Sequence, residues 1–374
     1  MKSRQNTQIT EQGMLARIRV GSVLLSPLVV RSLEMQPINN QADARLELSW
    51  LGEPASFWFT LESKGKANPQ AIQLAMMQAR QAAKGGDLPM IQVPFLPPER
   101  LDELEKEAVS GVDLCGNGIV IVPGRLCVIR SGAPNKYPDS RPLSNPYRGR
   151  SAMVARMLLE HPRWSSLSEL ADALRQAGTD LSLPQVSKAV QALEEDLILA
   201  KLTREITLQE PLRLLDTLGR EWRKPKIRAR QALRLRPGRE CAPELSSNPQ
   251  LKWAFTGESS AVRYAMSSQG GPRKIAVSSL PLALTLLDGL PEPIPNFADV
   301  ELLETEEAGF YFGNEIDGKG DRWASRLQAW LELQSGDARQ QDVAKDIRSQ
   351  ILSRGGASTP ETASAQPPGR AVNP

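Results

Sequence analysis

Apolar residues recur at helical spacing through the middle of the chain. Between Arg150 and Leu208, Val154, Met157 and Leu158 line one face of a first helix, and Leu167, Leu170, Ala171 and Leu174 one face of a second. This is the i, i+3, i+4, i+7 repeat of amphipathic helices. Gly178 breaks the pattern. Ser182 is then placed to cap a third helix with Pro184 in its first turn, where a missing N–H is tolerated because that donor has no intrahelical partner. Its inward stripe is Val186, Ala189, Val190 and Leu193. After Asp196 the period shortens to two β-prone runs, Ile198 to Lys201 and Glu205 to Leu208, which predict a hairpin. Three helices followed by a hairpin predict a winged helix-turn-helix over residues 145–210.

The third helix leaves Gln185, Ser187, Lys188 and Gln191 pointing outward near its N-terminal half, and the hairpin puts Lys201 and Arg204 near its tip. Gln pairs with adenine edges, Ser with several edges and Lys with guanine or phosphate. Double-stranded DNA is therefore the expected partner, with a three-helix module that packs against protein as the alternative.

The N-terminal third alternates at period two. From Ala42 to Leu51, Leu46, Leu48 and Trp50 oppose Asp43, Arg45, Glu47 and Ser49, as in a half-buried strand, and Phe57 to Lys64 reads as a second strand. Alternation puts Glu62 and Lys64 on one face, with Asp43 or Glu47 brought near from the neighbouring strand. Two carboxylates beside a lysine suit Mg²⁺ against a phosphodiester: the ion lowers the pKa of an attacking water, and the lysine offsets charge developing on phosphate. Asp43, Glu62 and Lys64 are the candidate catalytic residues, Asp43 and Glu62 the candidate metal ligands. Asn68 and Pro69 then start a helix with Ile72, Ala75, Met76 and Ala79 inward, and Met90 to Phe95 is a buried strand. This order resembles the restriction-endonuclease-like core of the PD-(D/E)xK group over about residues 10–122, although Ala42 stands where that motif has proline. The resemblance implies a nuclease fold that is either active or kept as a scaffold.

Composition adds little until its distribution is considered. At 374 residues the chain should form two or three domains, and 40% hydrophobic with 24% charged residues is ordinary for a globular protein. The net charge of +3 hides an asymmetry. Arg220 to Arg239 holds nine basic residues against Glu221, while Asp288 to Glu307 holds seven acids and no base. A basic segment just past a winged helix is expected to act as a phosphate-contacting arm through Arg223, Lys224 and Lys226, or else as a solvated linker. Cys115, Cys127 and Cys241 show neither disulfide nor zinc spacing. The single histidine, His161, precedes Pro162 at a helix end, which leaves Ser-His and Cys-His catalysis without a candidate. Without an apolar leader or an 18-residue apolar run, the expectation is a cytoplasmic protein that does not enter a membrane.

Four blocks in order carry a further resemblance. They are Pro94 to Val122 (PFLPPERLDELEKEAVSGVDLCGNGIVIV), the winged helix, Trp253 to Tyr264 (WAFTGESSAVRY), and Arg322 to Leu333 (RWASRLQAWLEL) followed by Asp337 to Lys345. Over about residues 88–350 they resemble transcriptional regulators related to the abortive-infection AbiEi antitoxins of type IV toxin–antitoxin systems. The resemblance implies a winged helix that represses its own operon, a C-terminal α/β domain contributing to antitoxin function, and a cognate toxin as partner. The winged helix of this chain lies behind a long N-terminal domain rather than at the start, which departs from the family pattern. In the C-terminal block Thr256 to Ala265 is a glycine-led helix start, Lys274 to Val277 and Val300 to Leu303 are strands, and Asp321 to Leu333 is a helix.

The expected architecture is α/β and multi-domain: a restriction-endonuclease-like domain over 1–135, the winged helix over 145–210, a basic linker over 211–245, an AbiEi-like α/β domain over 246–352 and a disordered tail over 353–374. The expected function is sequence-specific DNA binding as a regulator without a cofactor. A homodimer is expected because winged-helix repressors usually read paired half-sites. The alternative is a nuclease that uses Mg²⁺.

Overall fold

The computed structural model describes residues 9–36, 42–137, 145–203, 205–266, 270–292 and 297–356. The chain is mixed α/β and divides into two compact units, residues 1–145 with 191–197, and residues 146–190 with 198–374.

The first unit is built on one eight-stranded sheet whose strands lie in sequence order. A short helix α1 (Glu11–Leu15) precedes β1 (Val23–Leu25), β2 (Leu28–Met35), β3 (Ala44–Trp50) and β4 (Ser56–Ser63). Helix α2 (Pro69–Ala82) leads to β5 (Leu88–Val93), and α3 (Pro98–Lys106) to β6 (Ser110–Asp113), β7 (Gly118–Val122) and β8 (Leu126–Arg130). Only the β4·β5 and β5·β6 pairs are parallel, because each of those connections runs through a helix. Period-two alternation then sorts the side chains onto two faces. Leu46, Leu48, Phe59, Leu61 and Met90 form one core, while Ile91, Val93 and Ile119 pack under Ile72, Ala75 and Ala79 of α2 and Leu101 and Leu104 of α3. Asn68 caps α2 as its sequence predicts, its Oδ1 accepting the Ala71 N–H at 2.8 Å. Trp50, expected inward with Leu46 and Leu48, is 42% exposed, because it ends its strand beyond the packed layer.

The Pro94 to Val122 block owes its conspicuous loop to one side chain. Asp113 Oδ1 accepts the backbone N–H groups of Cys115, Gly116 and Asn117 at 2.7–2.8 Å, and Oδ2 accepts from Leu96 N and Asn117 Nδ2. A carboxylate so fully engaged builds a turn rather than a site.

The second unit opens with α4 (Ala152–Glu160), a two-residue strand β9 (Arg163–Trp164), α5 (Leu167–Gln176) and α6 (Leu183–Glu195). The last five residues of α6, with Asp196 and Leu197, group with the first unit. Strands β10 (Leu199–Leu202) and β11 (Glu205–Leu208) form the expected hairpin, to which β9 adds a third strand through Ile206↔Trp164 and Thr207↔Arg163. The predicted stripes are buried, with Val154, Met157 and Leu158 on α4, Leu170, Ala171 and Leu174 on α5, and Val186, Ala189, Val190 and Leu193 on α6, except that Leu167 at the start of α5 is only half-buried. Gly178 breaks the chain where its φ of 84° favours glycine.

Helix α7 (Pro211–Glu221) follows, its Leu214, Leu215 and Leu218 buried. A seven-stranded sheet then contains β12 (Ala229–Arg234), α8 (Cys241–Ser246) outside it, β13 (Trp253–Phe255), α9 (Glu258–Ala261), β14 (Arg273–Val277), α10 (Leu280–Leu287), β15 (Leu290–Pro291) and β16 (Val300–Glu304) in chain order. The remaining elements are α11 (Ala308–Tyr311), β17 (Glu315–Ile316), β18 (Arg322–Trp323), α12 (Arg326–Leu333) and α13 (Ala338–Gly356). The expected helix from Asp321 is shorter: Ser325 caps it through the Gln328 N–H, and Trp323 sits in a strand, tilted against Phe255.

The expected basic linker over 211–245 is not a linker. Its first part is α7, and Ala229–Arg234 is an inner strand held between β15 and β16. The two opposed charge blocks meet here. Arg228 makes paired 2.7 Å bonds to Glu306, and Arg230, Arg234 and Arg236 reach Glu301, Glu292 and Asp288 at 3.9, 3.5 and 3.2 Å. Asp299 and Glu304 instead accept the backbone N–H groups of Leu235 and Leu280. The expected disordered tail falls outside the described residues, except that the backbone of 354–356 completes α13. No helix among the described residues is long and apolar enough to cross a membrane.

Candidate functional site

The outward row of α6 is only partly free. Gln185 turns back on the helix start, its Oε1 accepting Ser182 N–H at 2.8 Å and Ser182 Oγ–H at 2.9 Å. That contact reverses the expected cap: the glutamine side chain satisfies the serine. Both acceptor positions of the amide oxygen are then occupied, so a bidentate adenine contact by Gln185 requires the cap to open. Gln191 donates from Nε2 to Glu195 Oε1 at 3.1 Å. Glu195 also accepts from Lys66 Nζ at 3.3 Å and Asn68 Nδ2 at 3.1 Å within the first unit. Lys188 is exposed and carries no ionic partner among the described residues, and Ser187 is half-buried beside it. On the hairpin Lys201 is exposed, while Arg204 lies outside the described residues.

Of the basic block, Arg223, Lys224 and Lys226 remain exposed on the extended segment between α7 and β12, without a carboxylate partner among the described residues. The block therefore divides chemically. Its second half pairs with carboxylates at the surface of the sheet, and its first half presents cations to solvent.

In the first unit the sequence-predicted trio converges. Glu62 shares its rung with Ile91, so it points to the face covered by α2, and it is 3% exposed. Lys64 Nζ lies 3.4 Å from Glu62 Oε2. Asp43, just ahead of β3, accepts the Ser63 N–H at 2.8 Å through Oδ2, and its own backbone N–H donates to Glu62. Burial is the main cause that pushes the Glu62 carboxyl up, the Asp43 charge adds to it, and Lys64 opposes it. Glu47 is the carboxylate that does not join: it pairs with Trp58, four residues back along β4, and accepts from Ser56 Oγ. Two crowded carboxylates with one lysine are the donor set a divalent cation would stabilise, so Asp43 and Glu62 fit Mg²⁺ chemically.

A second buried charge cluster lies outside the residues singled out from the sequence. Arg156, on α4, is 5% exposed and donates from Nη1 to Gln328 Oε1 at 2.8 Å and Gly309 O at 3.3 Å. Gln328 Nε2 passes the network to Glu332 Oε1 at 2.6 Å, which also accepts from Thr256 Oγ1 at 2.7 Å. Gly257, with φ of 58°, donates its N–H to Glu332, which makes it a turn glycine and not a phosphate cradle. Burial lowers the Arg156 guanidinium to about 10, so it stays charged at neutral pH. Arg156 falls on the i+3 row from Met153 within a continuously buried helix, and that is the signal that could have exposed it.

Compared with protein family models, characterised proteins and solved structures, the chain matches none.

Proposed function

We propose that the chain is a sequence-specific double-stranded DNA-binding regulator whose second unit begins with a winged helix-turn-helix. The observation that carries this reading is the three-stranded closure of β9 on the β10–β11 hairpin behind three helices, with Lys188 exposed on the third. In that arrangement the third helix enters the major groove and the hairpin is the wing. Lys188 and Ser187 are the base-facing candidates, and Lys201, Arg223, Lys224 and Lys226 the phosphate contacts. Homodimeric binding to paired half-sites and a role as an antitoxin-like autorepressor extend the same reading. Lys188→Ala should weaken binding to the chain's own upstream region by about 1–3 kcal/mol while sparing a scrambled duplex. Gel-shift titration at fixed salt measures this. Unchanged affinity on both duplexes takes α6 out of the interface and sinks the reading.

The convergence of Asp43, Glu62 and Lys64 favours a second reading, a Mg²⁺-dependent nuclease of the restriction-endonuclease-like kind. Asp43 and Glu62 would hold the ion, which supplies a water of lowered pKa, and Lys64 would face the phosphate. Access argues the other way, since the Glu62 side chain is 4% exposed and a duplex phosphodiester must reach it. The purified protein is therefore expected to leave linear and supercoiled DNA intact with Mg²⁺ or Mn²⁺. Cleavage that vanishes in both Glu62→Gln and Lys64→Ala, with melting unchanged, would establish the nuclease instead.

A further inference from the structure

One cleft, of about 830 Å³, lies wholly within the second unit. Its volume falls in the ~300–1,000 Å³ typical of small-molecule sites. It is walled by Arg150 ahead of α4, the turn Gln176–Asp180 between α5 and α6, Lys226 on the extended segment, and residues around β13 and β18. Four cations on its walls, Arg150, Lys226, Lys252 and Arg322, have no carboxylate partner among the described residues. A fifth, Arg228, is neutralised by Glu306. The remaining acids on the wall are Asp180 and Glu307, and Glu307 lies in the field of Arg156. The balance favours an anion.

Polar groups within the same wall sharpen the chemistry. Trp253 Nε1 and Thr179 Oγ1 are buried without a hydrogen-bond partner, in residues that are 0% and 3% exposed, and Asn314 Oδ1 is a third orphan. Buried polar groups are nearly always bonded. Three of the six buried side-chain atoms that lack a hydrogen-bond partner among the described residues fall in this one wall, which favours a polar ligand there. Two of them can donate and one can only accept. Anionic oxygens match the cations, the indole N–H and the threonine O–H in kind, and Asn314 Oδ1 matches a donor such as a hydroxyl. A concavity of this volume encloses a compact molecule, whereas a duplex can only lie across its mouth.

We propose that this cleft binds a small phosphate ester that also bears hydroxyl groups, either a sugar phosphate or a nucleotide. The turn Gln176–Asp180 sets the start of α6, so occupancy is expected to change affinity for DNA. That consequence rests on the DNA-binding reading; the binding itself does not.

Calorimetry on the full chain, without DNA, tests it with ribose 5-phosphate, AMP, inorganic phosphate and ribose. Saturable binding of ribose 5-phosphate or AMP is expected, at least tenfold tighter than inorganic phosphate, with no heat from ribose. Which of the two binds more tightly distinguishes sugar phosphate from nucleotide. The double variant Lys252→Gln/Arg322→Gln should weaken binding at least tenfold at unchanged melting temperature. Lys226→Gln, at an exposed position, keeps the test open if that double variant does not fold, and should weaken binding severalfold. Absence of saturable binding by both esters overturns the proposal, as does inorganic phosphate binding equally well or affinity that no variant changes. Loss of duplex affinity in these variants without any small-molecule binding would make the cleft a DNA-backbone contact, and the proposal would fall.

Discussion

Two clusters bury titratable side chains in this protein, and they differ in the signs of the charges they bring together. In the second unit Arg156 and Glu332 are joined through Gln328, and Glu332 collects further donors from Thr256 and Gly257. Groups of opposite charge are linked there by hydrogen bonds, which work against burial, since burial pushes the Glu332 carboxyl up and Arg156 Nε has no hydrogen-bond partner among the described residues. Gly309 leaves the guanidinium room, since a Cβ there would stand 3.0 Å from Arg156 Nη1. In the first unit Asp43 and Glu62 bring two acids against the single cation Lys64, and the Glu62 carboxyl is pushed up first by burial and then by the Asp43 charge. Buried charge that is balanced builds structure. Like charges held together repel, so removing one of them should cost less than removing one member of an opposite pair.

The contrast breaks most directly in stability. Arg156→Met should destabilise the fold by about 3 kcal/mol, the low end of the range for breaking a buried pair, because Glu332 keeps its neutral donors. Glu62→Gln should cost less than about 1 kcal/mol or stabilise, since it removes one of two repelling charges at constant shape. Urea denaturation monitored by tryptophan fluorescence compares the two. Similar losses in both variants would erase the distinction between the oppositely charged and the like-charged cluster.

The same contrast explains what the sequence made legible. The stripes of α5 and α6, the cap of α2 and the Glu62/Lys64 face are local patterns, and they read correctly because period and capping act over a few residues. Strand β9 has two residues, too short for any period. Strand β12 is hidden by its arginines: Arg228 to Arg236 look solvated until their acids arrive from 52 to 78 residues along the chain. Gln185 misleads in a smaller way. An outward position on a helix predicts availability, but its side chain is consumed by the helix's own first turn. Charge neutralised at long range and polar groups consumed at short range are both invisible to facing arguments.

Salt dependence sharpens the division within the basic block. Neutralising Arg223, Lys224 and Lys226 together should lower affinity for all duplexes alike and flatten log K against log salt by about 0.9 for each phosphate left without its cation. Neutralising Arg230 and Arg234 should leave that slope unchanged and lower the melting temperature slightly, because these cations face Glu301 and Glu292 at the protein surface. Filter-binding isotherms at several salt concentrations separate the two variants. A slope that falls equally in both would mean that the sheet arginines also face DNA.

The smallest expected effect is the part of the pH dependence that Glu62 contributes. Its carboxyl is raised in the folded protein, first by burial and then by Asp43, so the folded state binds more protons than the unfolded chain across the interval between the two pKa values. Stability then falls as pH rises from the unfolded value, near 4.5, through the raised folded value, and no penalty remains below 4.5 where both states are protonated. Glu62→Gln removes the titration. Its stability relative to the wild type should therefore increase on going from pH 4 upward and level off once the wild-type carboxyl is ionised in the folded state. A divalent cation held by Asp43 and Glu62 would reverse the trend in the wild type alone, since it stabilises the ionised pair and binds only the folded form. Urea midpoints of both proteins between pH 4 and 8, with and without Mg²⁺, measure this difference. A gap independent of pH would place the Glu62 penalty elsewhere than in its charge, and a Mg²⁺ response shared by Glu62→Gln would remove Glu62 from any metal site.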